Sequence, residues 1–512
     1  MTYTFNLIDQ PWIPCVDVDL RPIEVSLREL LVDAHRIRTI AAETPLMNAA
    51  ILPIALAVLH RVFGPAKSAD WEDLWEGSAF PAEPLDGYFM QWYDRFDLFH
   101  PERPFYQVAD ERLGNKLIMH LADSSGGAGT LFRHDNEISP PIFTPAQAAM
   151  KLLTAQSFRL GGGISGKPTP NFVDSHWTRG ILFFAVGRTL FETLMLNLLP
   201  YPSKSIMPQT PEDRPFWEAD DPFQGRKPRK EMLHLAPKGY LDYLTWQTNH
   251  VLLLPEERNG EVIVQWMRIV PVAKCEVGEN SPHRHYYRKS ENDPWSFLYF
   301  NPDRGLWRDY HSLTSLDSEN VKPPAIMDWL ARLALNGIFD NASAPRVAAV
   351  GMLAEKAKPI FQRQELMPLP THLLNDVDCL AKVRQALDLA EKTSRSINDA
   401  LKKLARRVLM RDSEQDPDPN AKSALVKQWD VISLYWSGLE PEFWQFIAAL
   451  STDPDAAIDA WESTLRDAAR STLATAADMA GTSTAALRGR VEAERLLNGK
   501  LKKLFDANKG GK

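Results

Sequence analysis

Two apolar runs stand out in the first half of the chain, Leu46–Val62 and Ile181–Leu199. The first is short and ends at His60-Arg61, and the second carries Arg188 and Glu192, so both are expected to be buried helices and not membrane spans. Short β-type runs, Val251–Leu254, Val262–Trp266 and Phe297–Phe300, alternate with helical stretches and turn clusters up to about residue 370. From there the texture changes. Leu373, Val377, Leu380, Val383, Leu387 and Leu389 recur at helical spacing, and Ile397, Leu401, Leu404 and Val408 continue it. Past a polar, Pro-containing break at Asp412–Asn420, helical stretches follow at Ala424–Tyr435, Glu440–Ser451, Ala456–Ala476 and Ser483–Asp506. Segments of this kind joined by short loops predict an antiparallel bundle of about four long helices. Pro368 and Pro370 interrupt the chain and place the boundary near 370. The expected class is α+β: a mixed α/β N-terminal body over 1–370, followed by a C-terminal four-helix bundle over 371–512.

Composition narrows the picture. A chain of 512 residues exceeds what one core usually serves, and 44% hydrophobic with 24% charged residues is ordinary for a folded, soluble protein. Cys15, Cys275 and Cys379 are scattered and form no CxxC pair, so reduced thiols in a cytoplasmic protein are expected, with no disulfide framework and no cysteine zinc site. The first residues lack a basic start followed by an apolar run, so no signal peptide is expected. Net charge is −8. A chain that grips DNA alone is more often basic, whereas an acidic one touches nucleic acid when partners supply most of the grip.

Few segments carry candidate chemistry. Gly161-Gly162-Gly163-Ile164-Ser165-Gly166-Lys167-Pro168 nearly spells a phosphate-binding loop, but Pro168 stands where the magnesium-binding hydroxyl belongs. The preceding Ala148–Phe158 is patterned as a helix, not a strand. A run without side chains does let backbone approach a ligand closely. A second glycine-rich stretch, Ser124 to Phe132, ends in the apolar Leu131 and Phe132, as a linker or as a segment that orders on a partner. His283-Arg284-His285-Tyr286-Tyr287-Arg288-Lys289 mixes basic and aromatic residues as single-strand binders do, and is expected to be an exposed hairpin or loop. Asp220–Glu231, with Arg226, Lys227, Arg229 and Lys230, is expected to be a mobile surface loop. No catalytic constellation is apparent. A P-loop-like nucleotide-dependent enzyme and a purely structural scaffold subunit stay open beside a nucleic-acid-binding role.

Several motifs, in order, resemble one family. The opening Phe5-Asn6-Leu7-Ile8-Asp9-Gln10-Pro11-Trp12-Ile13-Pro14 is similar to the start of the large subunit of the type I-E CRISPR Cascade complex. Arg95-Phe96-Asp97-Leu98-Phe99-His100-Pro101-Glu102-Arg103-Pro104-Phe105 matches that family's strongest internal signature. Thr130-Leu131-Phe132, the glycine triplet, Thr178-Arg179-Gly180 and Tyr435–Trp444 follow at appropriate separations. The resemblance implies a non-catalytic subunit; some members carry a cysteine zinc site near the first glycine loop, but this sequence lacks those cysteines, so no zinc and no cofactor are expected. Such a subunit recognises the short protospacer-adjacent motif (PAM) in duplex DNA, helps open the duplex for guide-RNA pairing, and contributes to recruiting a helicase-nuclease after the R-loop forms. The implied partners are the guide-RNA-containing Cascade subunits (backbone, small and 5′-handle-binding), double-stranded target DNA and the helicase-nuclease, with no membrane.

By resemblance, Gly161, Gly162 and Gly163 contact the PAM. Gly126, Gly127, Gly129, Thr130, Leu131 and Phe132 dock near the guide's 5′ handle and the neighbouring subunit. The strand-separating wedge falls at Lys356 and Ala357, where the family's familiar residue is glutamine, and a basic finger falls at Arg304.

Overall fold

The structure, a computed structural model, describes residues 3–108, 114–121, 140–162, 171–201, 206–207, 209–220, 232–278, 281–314, 319–338, 345–355, 357–370, 373, 376–410 and 415–509. The chain forms two compact units. One comprises Met1–Phe300, Leu316–Arg332 and Pro345–Met367. The other comprises Asn301–Ser315, Leu333–Ala344 and Pro368–Lys512, so two segments that precede residue 370 join the helical part.

The first unit is mixed. Its central helix, Pro45–Val62, begins where the Thr44 hydroxyl accepts the Met47 N–H, with Pro45 at the first helical position. The helix is apolar all round because it is buried nearly all round, as expected. The second apolar run behaves differently and corrects the expectation of a helix: Leu182–Val186 is a strand, and only Leu190–Asn197 is helical. Gly187 and Arg188 part the two, and the Thr189 hydroxyl accepts the Glu192 N–H to start the helix anew. The helix then turns back on the strand, where the Asn197 amide accepts the Ala185 N–H (3.0 Å) and donates to the Ala185 carbonyl (2.8 Å).

Strand Leu182–Val186 pairs antiparallel with Arg346–Glu355, whose other neighbour is Lys358–Pro368. A long hairpin, Asn249–Arg258 and Glu261–Pro271, contains the β-type runs at 251–254 and 262–266. It turns at Asn259 and Gly260, both at positive φ (55° and 84°), the pair whose twist suits a two-residue hairpin. Of the third run only Phe297 lies in a strand. Helix Pro145–Phe158 covers the predicted Ala148–Phe158 and opens with a capping box between Thr144 and Gln147.

The second unit is built on four long helices, Val377–Met410, Val431–Ala449, Pro454–Met479 and Thr484–Lys509, with a shorter one at Pro419–Trp429. The predicted single stretch Ala424–Tyr435 is in fact broken: Asp430, at φ 50°, ends one helix and begins the next, which runs unbroken through Pro441. At the centre sits Phe443, fully buried, its ring 4.9 Å from Trp307, 6.0 Å from Tyr310 and 6.0 Å from Trp461. Tyr435 donates to the Ala390 carbonyl (3.0 Å) and the Trp461 indole to that of Ala386 (2.9 Å), so the buried aromatic polar groups are satisfied by helix backbone.

Candidate nucleic-acid interface

The segment that carries the glycine triplet leaves the end of the Pro145–Phe158 helix and returns at Phe172. Gly162 and Phe172 exchange both backbone hydrogen bonds (3.0 and 3.1 Å), forming a short antiparallel stem. Gly161 lies against the returning strand so closely that a Cβ would stand 2.8 Å from the Phe172 carbonyl oxygen and 2.9 Å from the Asp174 nitrogen. Those neighbours are backbone and cannot give way, so position 161 tolerates only glycine. Here the missing side chain serves the chain's own return strand. Gly163 and the rest of 163–170 lie outside the described residues.

This order of elements removes the P-loop reading. A phosphate-binding loop runs from strand to helix, whereas here a helix precedes the glycines, and residues 171–181 lead without a helix into strand Leu182–Val186.

Charge collects at the stem. Asp174 accepts the Gly161 N–H through Oδ1 (2.7 Å) and the Arg179 guanidinium through Oδ2 (2.6 Å). Arg159, almost wholly buried, lies over the Phe172 ring at 4.5 Å and donates to the His120 carbonyl. Burial lowers its pKa to about 10, so it remains a cation at neutral pH. Lys116 approaches the same ring at 5.3 Å. Gly180, at φ 79°, then leads into the strand that pairs with the Arg346–Glu355 hairpin strand, and Gly351 of that strand sits against the Gly180 carbonyl. One continuous path of backbone therefore joins the glycine stem to the hairpin.

A cationic and aromatic surface borders this path. Ile181 donates to the Leu298 carbonyl (2.9 Å), which brings up Tyr299, 42% exposed. Tyr287 is 39% exposed, and Arg288 and Lys322 each lie 4.6 Å from the Trp295 ring. Tyr299, Trp295 and Lys322 were not singled out in the sequence. Tyr299 falls inside the run Phe297–Phe300, Trp295 follows Pro294 and Lys322 precedes Pro323, and only the fold gathers them.

The run His283–Lys289 divides. The expected exposure holds for Tyr287 and Lys289, with Arg288 half-buried, but His283, Arg284, His285 and Tyr286 are buried. The Tyr240 hydroxyl and His283 Nε2 are 2.8 Å apart, and the His60 ring lies edge-on to Tyr240. Burial lowers the pKa of His60 and of His176 to about 3 and that of His283 to about 4. Charge repulsion from His283 adds to the shift of His60, and repulsion from Arg284 adds to that of His176 and His283. These imidazoles are core groups and not ligands. Among the described residues no three His, Cys, Asp or Glu are placed to hold a metal ion.

The remaining predicted positions separate. Ala357 stands at the turn between Arg346–Glu355 and Lys358–Pro368; Lys356 beside it lies outside the described residues. The hairpin's outer strand exposes Lys358, Ile360, Gln362, Gln364 and Leu366 in alternation. Arg304 belongs to the helical unit, where Asp309 (2.8 Å) and Glu391 (3.1 Å) hold its guanidinium. Glu391 is shared with Arg308, which also lies 3.5 Å from the Trp436 ring centre. Any phosphate reaching Arg304 competes with two carboxylates. Gly126, Gly127, Gly129, Thr130, Leu131 and Phe132 lie outside the described residues, as does most of Asp220–Glu231.

Residues 6–472 match the family model for CRISPR-associated protein Cse1. The CRISPR-associated protein CasA/Cse1 of Thermus thermophilus is 32% identical, over 91% of this chain and 91% of its own length. The crystal structure of CasA from Thermus thermophilus superposes with a TM-score of 0.81 at 27% identity, covering 98% of this chain and 100% of that one. A chain of a CRISPR RNA-guided surveillance complex shares the fold at a TM-score of 0.73 and 20% identity, covering 98% and 99%. With its opening motif, its internal signature and its whole two-unit architecture accounted for, this chain belongs to the CRISPR-associated CasA/Cse1 family.

Proposed function

We propose that this chain is the large, non-catalytic subunit of a type I-E Cascade, an RNA-guided DNA-surveillance particle. In this reading it recognises the PAM in duplex DNA, promotes opening of the adjacent steps, and helps bring in the helicase-nuclease once the R-loop exists. The observation that carries the reading is the stem at Gly161–Gly162: a fixed, cation-flanked base, joined through Arg179 and Gly180 to the hairpin that ends at Ala357. Base edges in the minor groove present a partly degenerate pattern, so backbone laid against them accepts several related sequences. Arg179, Tyr287, Arg288 and Tyr299 supply phosphate and stacking contacts around it.

The hairpin tip at Lys356 and Ala357 enters the step beside the PAM. Opening a step costs on the order of a few kcal/mol, and groove contacts offset it. Exchange of a DNA duplex for an RNA–DNA duplex is otherwise nearly balanced in a related class of RNA-guided effector, so a small local push decides whether pairing starts. The net charge of −8 fits a subunit whose partners carry most of the positive potential. The segment 126–132 is assigned to docking on the guide's 5′ handle and the neighbouring subunit.

The test is Gly162→Leu in a particle reconstituted with guide RNA. Binding to PAM-bearing duplex is expected to fall about tenfold or more, the scale of a lost base-pair contact, while binding to PAM-free duplex and the melting temperature stay the same. Undiminished discrimination between the two duplexes would remove the glycine segment from the site.

A further inference from the structure

The helical unit segregates charge between its two pairs of helices. Val377–Met410 carries eight Lys and Arg against four Asp and Glu, and Thr484–Lys509 carries seven against three, so these two neighbours bear a net +8. Val431–Ala449 carries none against two and Pro454–Met479 two against five, a net −5. The first pair packs directly together: Lys403 and Arg407 both reach Glu492, and Lys500 reaches Asp399. Those contacts use up part of the positive charge. Arg395, Lys402, Arg488, Arg495, Lys502 and Lys503 are left exposed, and none of them makes an ion pair or hydrogen bond among the described residues.

Their spacing is regular. Arg488, Arg495 and Lys502 follow at intervals of seven residues, as do Arg395 and Lys402, so each set occupies one face with about 10 Å between charges along the axis. Neighbouring helix axes lie about 8–10 Å apart, so the two rows form a strip roughly 20 Å long and one helix spacing wide. Uncompensated like charge on adjacent helices works against the fold, and packing has no need of it. The apolar side chains exposed near these cations are aliphatic, Leu409, Leu487 and Val491, and none is aromatic; the carboxylates exposed on the same two helices include Asp388, Asp399 and Asp506, of which Asp399 is already held by Lys500. A face of cations without stacking groups suits a ligand that shows phosphates and keeps its bases inside.

We propose that this face, formed by Val377–Met410 and Thr484–Lys509, binds the phosphate backbone of duplex DNA without regard to sequence. It gives an acidic chain a second foothold on its target beyond the glycine stem. The assignment stands apart from the PAM reading and is tested on DNA that has no PAM.

The full-length chain is titrated with a fluorescent duplex of about 20 base pairs lacking the PAM, from about 50 to about 200 mM salt. The triple variant Arg488→Ala, Arg495→Ala, Lys502→Ala is expected to bind at least tenfold more weakly at the lowest salt. Its log–log salt slope should be shallower by about 2.7, at about 0.9 per lost phosphate contact. A control of equal charge change elsewhere, Lys67→Ala, Arg214→Ala, Lys238→Ala, should leave both quantities near wild type. Equal losses in the control would mean that net charge alone is at work and would overturn the proposal, as would an unchanged slope in the triple variant. Tighter binding of the corresponding single strand, or displacement of the duplex by polyglutamate at matched charge, would overturn the assignment to duplex DNA.

Discussion

Acidification from pH 6.5 toward 4.5 is expected to unfold the mixed α/β unit while its carboxylates are still largely ionised. His60, His176 and His283 have folded pKa values near 3, 3 and 4, against about 6.5 in an unfolded chain. A depressed folded value means that the unfolded state binds protons first. The stabilising contribution is therefore whole above pH 6.5 and is lost as the pH falls toward 4. Each such imidazole contributes about 1.4 kcal/mol per pH unit across that window, so three together give a slope of about 4 kcal/mol per unit once the unfolded imidazoles are protonated. Two units of acidification then match the whole stability of an ordinary domain, about 5–15 kcal/mol.

Urea midpoints measured at half-unit intervals from pH 7.5 to 4.5 check this. His60→Leu tests the source, because neither ring nitrogen of His60 has a protein hydrogen-bond partner among the described residues and the ring lies among aromatic side chains. The variant should lose about a third of the acid slope and keep its neutral-pH stability within about 1 kcal/mol. A flat profile down to pH 5 in the wild type would show these imidazoles to be accessible to protons in the folded state.

Truncating Phe443 to alanine is expected to destabilise the helical unit by about 3–5 kcal/mol, the usual cost of deleting a buried phenyl ring. The ring is fully buried and touches aromatic neighbours from three separate stretches, Trp307 and Tyr310 before the helices, Trp444 and Phe446 on its own helix, and Trp461 on the next. Its loss leaves a cavity that the Trp461 indole, fixed by its hydrogen bond to the Ala386 carbonyl, cannot collapse to fill. Leu434→Ala on an outward face is the control, since Leu434 is 56% exposed and should change stability by no more than about 0.5 kcal/mol. Chemical denaturation followed by tryptophan fluorescence reads both. A cost below about 1 kcal/mol for Phe443→Ala would move the centre of this core elsewhere.

Long-period patterns proved readable and long-range partners did not. The helices of the C-terminal part show in apolar residues three and four apart, because a helix that packs on one side repeats its burial every turn. The break at Asp430 escaped that pattern, since apolar spacing continues across the corner while the backbone turns left-handed at one residue. Ile181–Leu199 misled for a related reason: an apolar run of nineteen positions fits a buried helix by composition, and only Gly187 and Thr189 mark that it is a strand and a helix in succession.

In the candidate site, the family motifs located the glycine stem. The structural reason for Gly161 depends on Phe172 and Asp174 returning beside it. The burial of His283 depends on Tyr240 and Trp177, which stand 43 and 106 positions before it, and on His60, more than two hundred positions away. Arg304 shows the same limit from the opposite direction. A cation in a turn is patterned as free, and its carboxylate on Glu391 lies eighty-seven residues further on.

The carboxylate of Asp174 has a mechanical consequence. One oxygen fastens the start of the glycine segment and the other fastens Arg179, three residues before the strand that zips onto the hairpin at Leu182. A load applied to the glycines is thereby carried across a single side chain into a sheet and does not dissipate in slack peptide. Anything that tugs on residue 161 also strains the ladder at 182–186, and the clasp at position 174 sets how stiffly the two move as one.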